Sequence, residues 1–531
     1  MFGFLPAAVL GFAVAGRLGR TAGAVWLVIA SLVFYGFWQP ALVVLISASI
    51  LFNYAIASLI RRNEGKDGRQ TSLLWTGIAL NLIALIYYKY AFWLLSLLGK
   101  IGIVDTHGLH AIVLPLGISF FTFTQIGYLV DCRQKVTKED GFLNYVLFVT
   151  FFPHLIAGPI LHNGEIMPQF ADPARFRLNA ANIGAGLTMF VIGLLKKSLI
   201  ADSLANINNQ GFLGAEHLQF FGSWGTLLGY SLQLYFDFSG YSDMAIGLAL
   251  LFNIRFPLNF DSPYKARSII DFWQRWHMTL TRYITLYLYN PIAMNFYRRR
   301  MKRGLPMGRK ALAKPWPFAY LIAVPTFITM ALAGIWHGAG LQFLIFGLLH
   351  AVYLTINHAW RTFGPKTGAL VLGRLARGCL AVCQVLITYS AVLIAQAFFR
   401  AASVSDAVSI LSAMLGAKGF EHPLSVPKLA RSFLTPFAHR LIEDGAIDFH
   451  LSHDMQMQAL MIPLAFVIVW LLPNSQQIMA GANPVLTKVE TGGWRILTWR
   501  PTFRWAIAAS GAAAIALMSI GGTHEFLYFQ F

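Results

Sequence analysis

Long uninterrupted apolar stretches recur along the whole chain, and they restrict its fold more than any other feature of the sequence. The residues are 57% hydrophobic and only 12% charged, about half the charged fraction of a soluble domain. Within lipid, every backbone polar group must be satisfied by the protein itself, so only helices and closed barrels span a bilayer. The sequence lacks the short alternating strands of a barrel. It therefore predicts an all-α, polytopic membrane protein.

The length of the chain bounds the number of membrane crossings. A transmembrane helix takes about 20 residues, so 531 residues leave room for roughly 11 to 14 helices with their loops. No internal repeat is evident, and we treat residues 1–531 as a single membrane-embedded domain. The N-terminus has no basic region before its apolar run, so we expect a retained first helix rather than a cleaved signal. Residues 401–456 contain three prolines among scattered charges, and we expect them to form a periplasmic loop with short interfacial helices.

The net charge of +19 would suggest a nucleic-acid partner in a soluble protein. In a membrane protein, basic residues in short loops fix the orientation of the chain instead, so we expect no nucleic acid. The run from Arg298 to Lys314 contains eight basic residues and no acidic one. We expect it to be cytoplasmic and to contact anionic lipid headgroups. The three cysteines form neither a disulfide framework nor a zinc motif, and we expect no metal.

Two histidines lie where apolar sequence would normally exclude them. His277 follows an aromatic segment that begins at Phe272, and His337 follows Trp336 within an apolar run from about Phe327 to Ala351. A polar side chain in such a run usually faces a bundle interior or a water-filled cavity. A neutral imidazole there can accept a proton from a hydroxyl near pH 7, as a general base must. The alternative is a core histidine that is bonded to a backbone carbonyl.

The spans that carry these histidines are predicted at residues 268–292 and 335–358. On one continuous helix, Phe272 and Trp273 fall on an apolar side of the first span, whereas Asp271 and Arg275 form an i,i+4 pair on the polar side. We interpret this pair as a structural ion pair, and a role of Arg275 in the site is the alternative.

Two further apolar segments break helix rules. Residues 151–159 place two prolines and a glycine around His154, and residues 234–243 place Asp237 and Asp243 beside small hydroxyl side chains. Irregular or polar backbone at membrane depth is tolerated only where protein or water satisfies it. We therefore expect both segments to surround the cavity of the two histidines. A satisfied packing motif is the alternative for the two aspartates.

Five motifs, in this order, resemble the membrane-bound O-acyltransferase family, in particular its bacterial alginate O-acetylation subfamily, which is related to the teichoic-acid D-alanyl transfer protein. The motifs are Pro115-Leu-Gly-Ile-Ser-Phe-Phe-Thr-Phe, His154-Leu-Ile-Ala-Gly-Pro-Ile, Tyr235-Phe-Asp-Phe-Ser-Gly-Tyr-Ser-Asp, Phe272-Trp-Gln-Arg-Trp-His-Met-Thr-Leu and Gly334-Ile-Trp-His-Gly-Ala. The ending, Phe526-Leu-Tyr-Phe-Gln-Phe531, is also similar. The resemblance extends from about residue 30 to the end. The sequence departs from the family at Gln274, where many relatives carry arginine, and in the length of residues 401–456, which leaves the acceptor open.

The resemblance implies a ring of tilted helices around a thin centre, where a funnel from each side meets the catalytic histidine. It implies that His337 is the catalytic base and that His277 is the second catalytic histidine. The further candidates for binding substrate or lining the tunnel are Trp273, Arg275, Trp336, Asp237, Asp243 and His154.

The function implied is transfer of an acyl group, with acetyl as the first expectation, across the inner membrane of a bacterium. The donor would be a cytoplasmic thioester, either acetyl-CoA or an acyl carrier, which is a substrate, and no cofactor is expected to stay bound. The acceptor would be a hydroxyl of alginate, another exopolysaccharide or peptidoglycan, or of a periplasmic partner protein. D-Alanyl transfer from a carrier protein is an alternative within the same class.

Two alternatives come from other classes of membrane protein. A haem protein would use His337 and His350, which lie about 20 Å apart if they share one helix, but it needs a second helix with matching histidines. A solute transporter would use the same polar cavity, but it predicts inverted repeats, and none is evident.

Overall fold

The structure is a computed structural model, and it describes residues 3–37, 39–103, 105, 113–137, 141–364, 373–420, 453–491 and 493–520. Residues 421–452, which are most of the expected periplasmic segment 401–456, and the closing motif at 526–531 lie outside the described residues. What we expect of them stays a prediction.

The described residues are helical, and their one extended pairing is an isolated bridge between Phe256 and Val485. The all-α prediction is therefore confirmed. Within the described ranges, six helices are long and apolar enough to cross a membrane, and shorter apolar helices of 10–17 residues accompany them. The six are Ala41–Arg62, Asp67–Lys100, Ala180–Leu213, Pro315–His337, Leu341–Phe363 and Arg374–Arg400. The ring arrangement and the count of roughly 11 to 14 crossings stay predictions.

The helices are numbered in chain order. They are α1 (Phe4–Leu18), α2 (Arg20–Gly36), α3 (Ala41–Arg62), α4 (Asp67–Lys100), α5 (Ile118–Arg133), α6 (Phe142–Thr150), α7 (Phe152–Leu155), α8 (Asn163–Ala171), α9 (Ala180–Leu195), α10 (Asp202–Leu213), α11 (Phe220–Leu251), α12 (Ile269–Trp273), α13 (Met278–Ile284), α14 (Asn290–Lys302), α15 (Arg309–Leu312), α16 (Pro315–Phe318), α17 (Val324–His337), α18 (Leu341–Phe363), α19 (Arg374–Arg400), α20 (Val404–Met414), α21 (His453–Leu471), α22 (Ser475–Ile478) and α23 (Phe503–Met518). Three π-helical turns, Lys196–Ala201, Thr285–Tyr289 and Ala319–Ala323, join α9 to α10, α13 to α14 and α16 to α17. Such turns are frequent at functional sites.

Helices α9 and α11 contact each other backbone to backbone. A Cβ atom on Gly186 of α9 would lie 2.6 Å from the carbonyl oxygen of Gly247, and one on Gly193 would lie 2.5 Å from that of Gly240. Lipid offers no hydrophobic force that drives two helices together, so small residues that allow close backbone contact provide much of the packing energy. This contact places α11, which is buried along most of its length, inside the bundle.

Helices α17 and α18 form a hairpin that turns directly after His337. Gly338 and Gly340 are extended, with φ of −170° and 171°, and α18 begins at Leu341. The predicted span 335–358 is therefore wrong at its beginning. The sequence predicted separate spans at 316–332 and 335–358, but it placed their division about five residues too early, because the apolar character continues up to the glycine-rich turn.

The predicted single span at 268–292 is also wrong, since α12 ends at Trp273 and α13 begins only at Met278. The turn between them is held from outside the segment. The N–H of Met278 donates to the carbonyl of Asn259 (2.9 Å), and the carbonyl of Arg275 accepts from the N–H of Asp261 (3.0 Å). The apolar periodicity of the segment gave no sign of these two bonds.

His277 lies in this turn with a φ of 44°. A left-handed backbone is uncommon for a residue other than glycine, although histidine adopts it more readily than most. Residues held in sparsely populated conformations cluster at functional sites, where the surrounding structure supports them. The backbone of His277 thus marks this turn independently of its sequence motif.

Candidate active site

Three histidines from separate elements line one cavity of about 40 Å³. His277 comes from the turn before α13, His337 from the end of α17, and His350 from α18. The other lining residues are Leu234, Phe238, Phe272, Trp273, Trp276, Leu280, Phe346, Val392, Gln396 and Phe399. We call this the inner cavity. Since one water molecule needs about 10–15 Å³, the inner cavity accommodates only a small group.

His337 also lines a second cavity of about 360 Å³, which we call the outer cavity. Trp336, Lys89, Ile156 and residues 114–120 form the rest of its lining. Among the described residues, His337 is the one lining residue that the two cavities have in common. The two cavities therefore meet at His337.

The end of α17 is held by aromatic rings and by a buried cation. Trp336 stacks on Phe123 with ring centroids 5.0 Å apart, and Phe399 meets the imidazole of His337 edge-on at 5.1 Å. Lys89 of α4 donates to the backbone carbonyl of Trp336 and, at 3.2 Å, to that of His337. The last carbonyls of a helix lack partners and carry partial negative charge, so the ammonium group satisfies and fixes this helix end.

Lys89 was missed in the sequence analysis. It is a lysine inside a helix that is long and apolar enough to span the membrane. The rule that selected the histidines, that a polar residue in an apolar run is a functional candidate, applies equally to Lys89.

The protonation of His277 is set by Asn259. Its Nδ1 lies 3.0 Å from Oδ1 of Asn259. The amide Nδ2 of Asn259 donates to the hydroxyl of Ser242 (2.9 Å), and the hydroxyl of Thr279 donates to Oδ1 (2.9 Å). These bonds identify Oδ1 as the acceptor, so Nδ1 of His277 carries the proton and Nε2 is the basic nitrogen.

His350 is the second residue that the sequence analysis did not place in the site. The indole Nε1 of Trp273 donates to its Nδ1 at 3.2 Å, and the imidazole of His350 is buried. The sequence offered His350 only as a haem ligand about 20 Å from His337 on one helix. In the structure the two histidines belong to different helices and share a cavity of about 40 Å³, which is far too small for a porphyrin. This geometry removes the haem alternative.

Arg275 lies outside both cavities. Its Nε is 2.7 Å from Oδ1 of Asp271, and its Nη1 is 3.7 Å from Oδ2 of Asp261. The pair between Asp271 and Arg275 thus forms as the i,i+4 spacing predicted, although it bridges the end of α12 and the following turn.

Asp237 and Asp243 of α11 form ion pairs with lysines of the turn between α9 and α10. Lys197 lies 2.8 Å from Asp237, and Lys196 lies 2.6 Å from Asp243. Neither aspartate lines the inner or the outer cavity, although their neighbour Phe238 lines the inner one. Phe238 therefore places this segment of α11 beside the inner cavity, whereas the two carboxylates bind lysines outside the cavity.

His154 has a similar position relative to the site. Its Nε2 bonds to the backbone carbonyl of Phe148 at 2.9 Å, and the side chain is buried. It lines neither cavity, whereas Ile156 in the same irregular segment lines the outer one. The broken segment therefore reaches the site through Ile156.

The described residues contain no group of three His, Cys, Asp or Glu side chains that could hold a metal ion. The lining of the inner cavity supplies three imidazoles, the amide of Gln396 and apolar side chains, and no carboxylate is among the described residues that form it. Such a site provides a base and hydrogen-bond donors for a neutral, small reacting group. It therefore suits the transfer of a short acyl group to a hydroxyl.

Comparison with known proteins agrees with this chemistry. Residues 69–303 match the family model of the membrane-bound O-acyltransferases. The chain is 37% identical over 495 residues to the peptidoglycan O-acetyltransferase of Helicobacter pylori, an alignment that covers 88% of each chain. It is 33% identical to a probable alginate O-acetylase of Pseudomonas aeruginosa, over 78% of this chain and 73% of that one.

A teichoic acid D-alanyltransferase of Bacillus subtilis is 29% identical, over 49% of this chain and 63% of its own length. The alignment with the Helicobacter pylori enzyme includes nearly all of both chains, so the similarity is not limited to the matched segment at 69–303. The chain therefore belongs to the membrane-bound O-acyltransferase family.

Proposed function

We propose that this acyltransferase moves an acetyl group from a cytoplasmic thioester to a hydroxyl of an extracytoplasmic polysaccharide, with His337 as the general base. The observation that carries this proposal is the position of His337 between the inner and outer cavities, which share no other lining residue in the part of the chain that the structure describes. A thioester held on one side and a hydroxyl held on the other meet at this imidazole. Acyl transfer across a membrane needs such an arrangement because the thiol carrier of the acyl group stays on the cytoplasmic side.

In the proposed reaction, His337 takes the proton of the acceptor hydroxyl while the hydroxyl oxygen attacks the thioester carbonyl carbon. The tetrahedral intermediate collapses, the carbon–sulfur bond breaks, and the imidazolium returns its proton to the leaving thiolate. The products are an acetyl ester and a free thiol. General-base assistance contributes about 10²–10⁴-fold. His277, whose basic Nε2 is set by Asn259, is the second imidazole and orients the acyl group.

The lining of the inner cavity favours acetyl over D-alanyl transfer. A D-alanyl group carries an ammonium ion, and burying an unpaired charge is strongly unfavourable. Because the described residues that form this lining include no carboxylate, a D-alanyl group would find no counter-ion there. A cavity of about 40 Å³ also suits the two-carbon acetyl group better than a longer acyl chain.

Peptidoglycan is the acceptor to test first, because the relative aligned over 88% of the chain is a peptidoglycan O-acetyltransferase. Alginate follows, since other relatives are probable alginate O-acetylases. A serine or threonine of a periplasmic partner protein is the third acceptor, and it would carry the acetyl group to the polysaccharide.

The proposal is tested with purified protein in liposomes. Acetyl-CoA with a labelled acetyl group is enclosed in the liposomes, and soluble peptidoglycan fragments are added outside. The wild-type protein is expected to transfer label to the fragments, and His337→Ala is expected to lose this transfer with an unchanged melting temperature. His358→Ala is the matched control, because His358 lies on α18 and outside both cavities. Wild-type transfer by a folded His337→Ala protein would refute the assignment of the base.

We also propose that the protein lies in the inner membrane with the basic run 298–314 in the cytoplasm and residues 401–456 in the periplasm. Leu305 is exposed, so a cysteine introduced there is accessible once Cys379 and Cys383, which are exposed too, have been replaced. A membrane-impermeant thiol reagent applied to intact spheroplasts should leave position 305 unlabelled and should label position 425. The opposite pattern would show that the chain has the reverse orientation.

A further inference from the structure

The proposed reaction places a negative charge on the acyl oxygen, and the groups assigned so far do not bind it. His337 acts as the base, and His277 presents a lone pair on Nε2 because its Nδ1 faces Asn259. A lone pair repels a developing oxyanion. A hydrogen-bond donor aimed at this oxygen is usually the largest single contribution to acyl transfer, so the inner cavity needs a further N–H or O–H group.

His350 is the residue of the inner cavity that supplies this donor. The amide nitrogen of Gln396, which also lines the cavity, already donates to the hydroxyl of Tyr264 at 3.2 Å. The indole Nε1 of Trp273 can only donate, and it donates to Nδ1 of His350 at 3.2 Å. Nδ1 is therefore the unprotonated nitrogen, and the proton of the neutral imidazole resides on Nε2. The indole thus gives His350 the opposite tautomer to that of His277, and the cavity contains one imidazole that accepts and one that donates.

The surroundings of His350 hold its ring in place. Phe272 stacks parallel to the imidazole with centroids 6.3 Å apart, and Phe346 meets it edge-on at 4.8 Å. The residue is only 1% exposed, so bulk water does not compete for its N–H. A donor that is already oriented in a buried site needs little reorganisation energy when the charge develops.

We propose that His350 is a further catalytic residue, whose Nε2–H donates a hydrogen bond to the acyl oxygen as it becomes an oxyanion, and that Trp273 is its positioning residue. No covalent bond forms to His350 and its proton is not transferred. The hydrogen bond strengthens when the hydroxyl oxygen attacks and weakens when the carbon–sulfur bond breaks. This assignment rests on the proposed acetyl transfer.

The test compares His350→Leu, which removes the donor, with His350→Gln, whose amide nitrogen can replace Nε2–H. Removal of one oxyanion donor lowers kcat by about 10²–10³-fold, and this is the loss expected for His350→Leu, with the KM for acetyl-CoA little changed. The kcat of His350→Gln is expected to be at least tenfold higher than that of His350→Leu. His358→Leu is the matched control on the same helix. Rates are normalised to folded protein, which is measured by a thermal melt.

A second measurement separates chemistry from packing, and it needs only Trp273→Phe, which keeps an aromatic ring but removes the indole N–H. The fall in kcat that Trp273→Phe causes is expected to be several times smaller with a fluoroacetyl thioester than with an acetyl thioester, because fluorine already stabilises the oxyanion. A merely structural change would slow both substrates equally.

Three results would overturn the role of His350. They are a kcat of folded His350→Leu within about threefold of wild type, equal losses in His350→Leu and His350→Gln, and equal losses of Trp273→Phe with the two thioesters. The proposed function fails in a different way, because wild-type protein would then transfer no acetyl group and the variants would have no rate to lose.

Discussion

The crossing of α17 and α18 yields a prediction whose size follows from the structure, namely the effect of Gly334→Ala. A Cβ atom on Gly334 would lie 2.4 Å from the carbonyl oxygen of Phe343 and 3.0 Å from Cα of Gly347. Non-bonded heavy atoms are most stable at about 3.5–4.0 Å. The two helices must therefore separate by about 1 Å to admit one methyl group.

This displacement acts on the site directly, because His337 is less than one turn from Gly334 on α17 and His350 is less than one turn from Gly347 on α18. Overpacking of this kind typically costs about 1–3 kcal/mol of stability. A shift of about 1 Å in a reacting group can cost about 100-fold in rate. We therefore expect Gly334→Ala to slow acetyl transfer by about 100-fold while it lowers the free energy of unfolding by only about 1–3 kcal/mol.

The assay measures acetyl transfer and a thermal melt on the same purified sample. Gly378→Ala is the matched control, since it lies within α19 and a Cβ atom there would meet no other atom within 4 Å. A compatible glycine-to-alanine change stabilises by about 0.4–1 kcal/mol, so this control should keep full activity.

Gly347→Ala extends the test, because a Cβ atom there would lie 2.2 Å from the carbonyl oxygen of Met330. The effects of substitutions that act through one shared contact are not additive. The double variant should therefore lose less acetyl-transfer activity, in free-energy terms, than the sum of the losses of the two single variants. Wild-type activity of Gly334→Ala, or additive losses in the double variant, would refute the idea that this backbone contact sets the distance between the two histidines.

Three further predictions concern residues around the site. Lys89→Met removes the ammonium group at the end of α17, and we expect a loss of up to about 2 kcal/mol with a lower kcat, measured by melting and by acetyl transfer. His154→Ala leaves the carbonyl of Phe148 unpaired, which costs about 1–3 kcal/mol and should leave kcat per folded protein unchanged; a large fall in kcat would place His154 on the substrate path. Asp243→Asn leaves Lys196, which is mostly buried, without its carboxylate at a cost of about 3–5 kcal/mol, and adding Lys196→Met should restore part of the melting temperature.

The sequence predicted the fold class and the two histidine motifs because both are expressed locally. An apolar run needs no partner to indicate a membrane helix, and a histidine inside such a run is unusual in itself. Helix limits were less predictable. Apolar composition continues through Gly338 and Gly340, where the chain is extended, so hydropathy separated α17 from α18 but placed the boundary before His337 instead of after it.

The ion pairs illustrate a second limit. Asp271 and Arg275 are four residues apart, so their pairing could be predicted from spacing alone. Asp243 and Lys196 are 47 residues apart in the chain, and only the packing of α9 against α11 brings them together. The sequence therefore left two interpretations of this aspartate open, whereas the structure supplies its partner.

The sequence by itself determined that this chain is an all-α membrane protein of the acyltransferase family with His277 and His337 in unusual positions. The tertiary structure decided which groups meet them, and it decided the tautomers of His277 and His350. His277 and Asn259 are 18 residues apart, His350 and Trp273 are 77 apart, and His337 and Lys89 are 248 apart. The position of an imidazole proton depends on the group that the ring faces, and contacts over such separations exist only once the helices have packed.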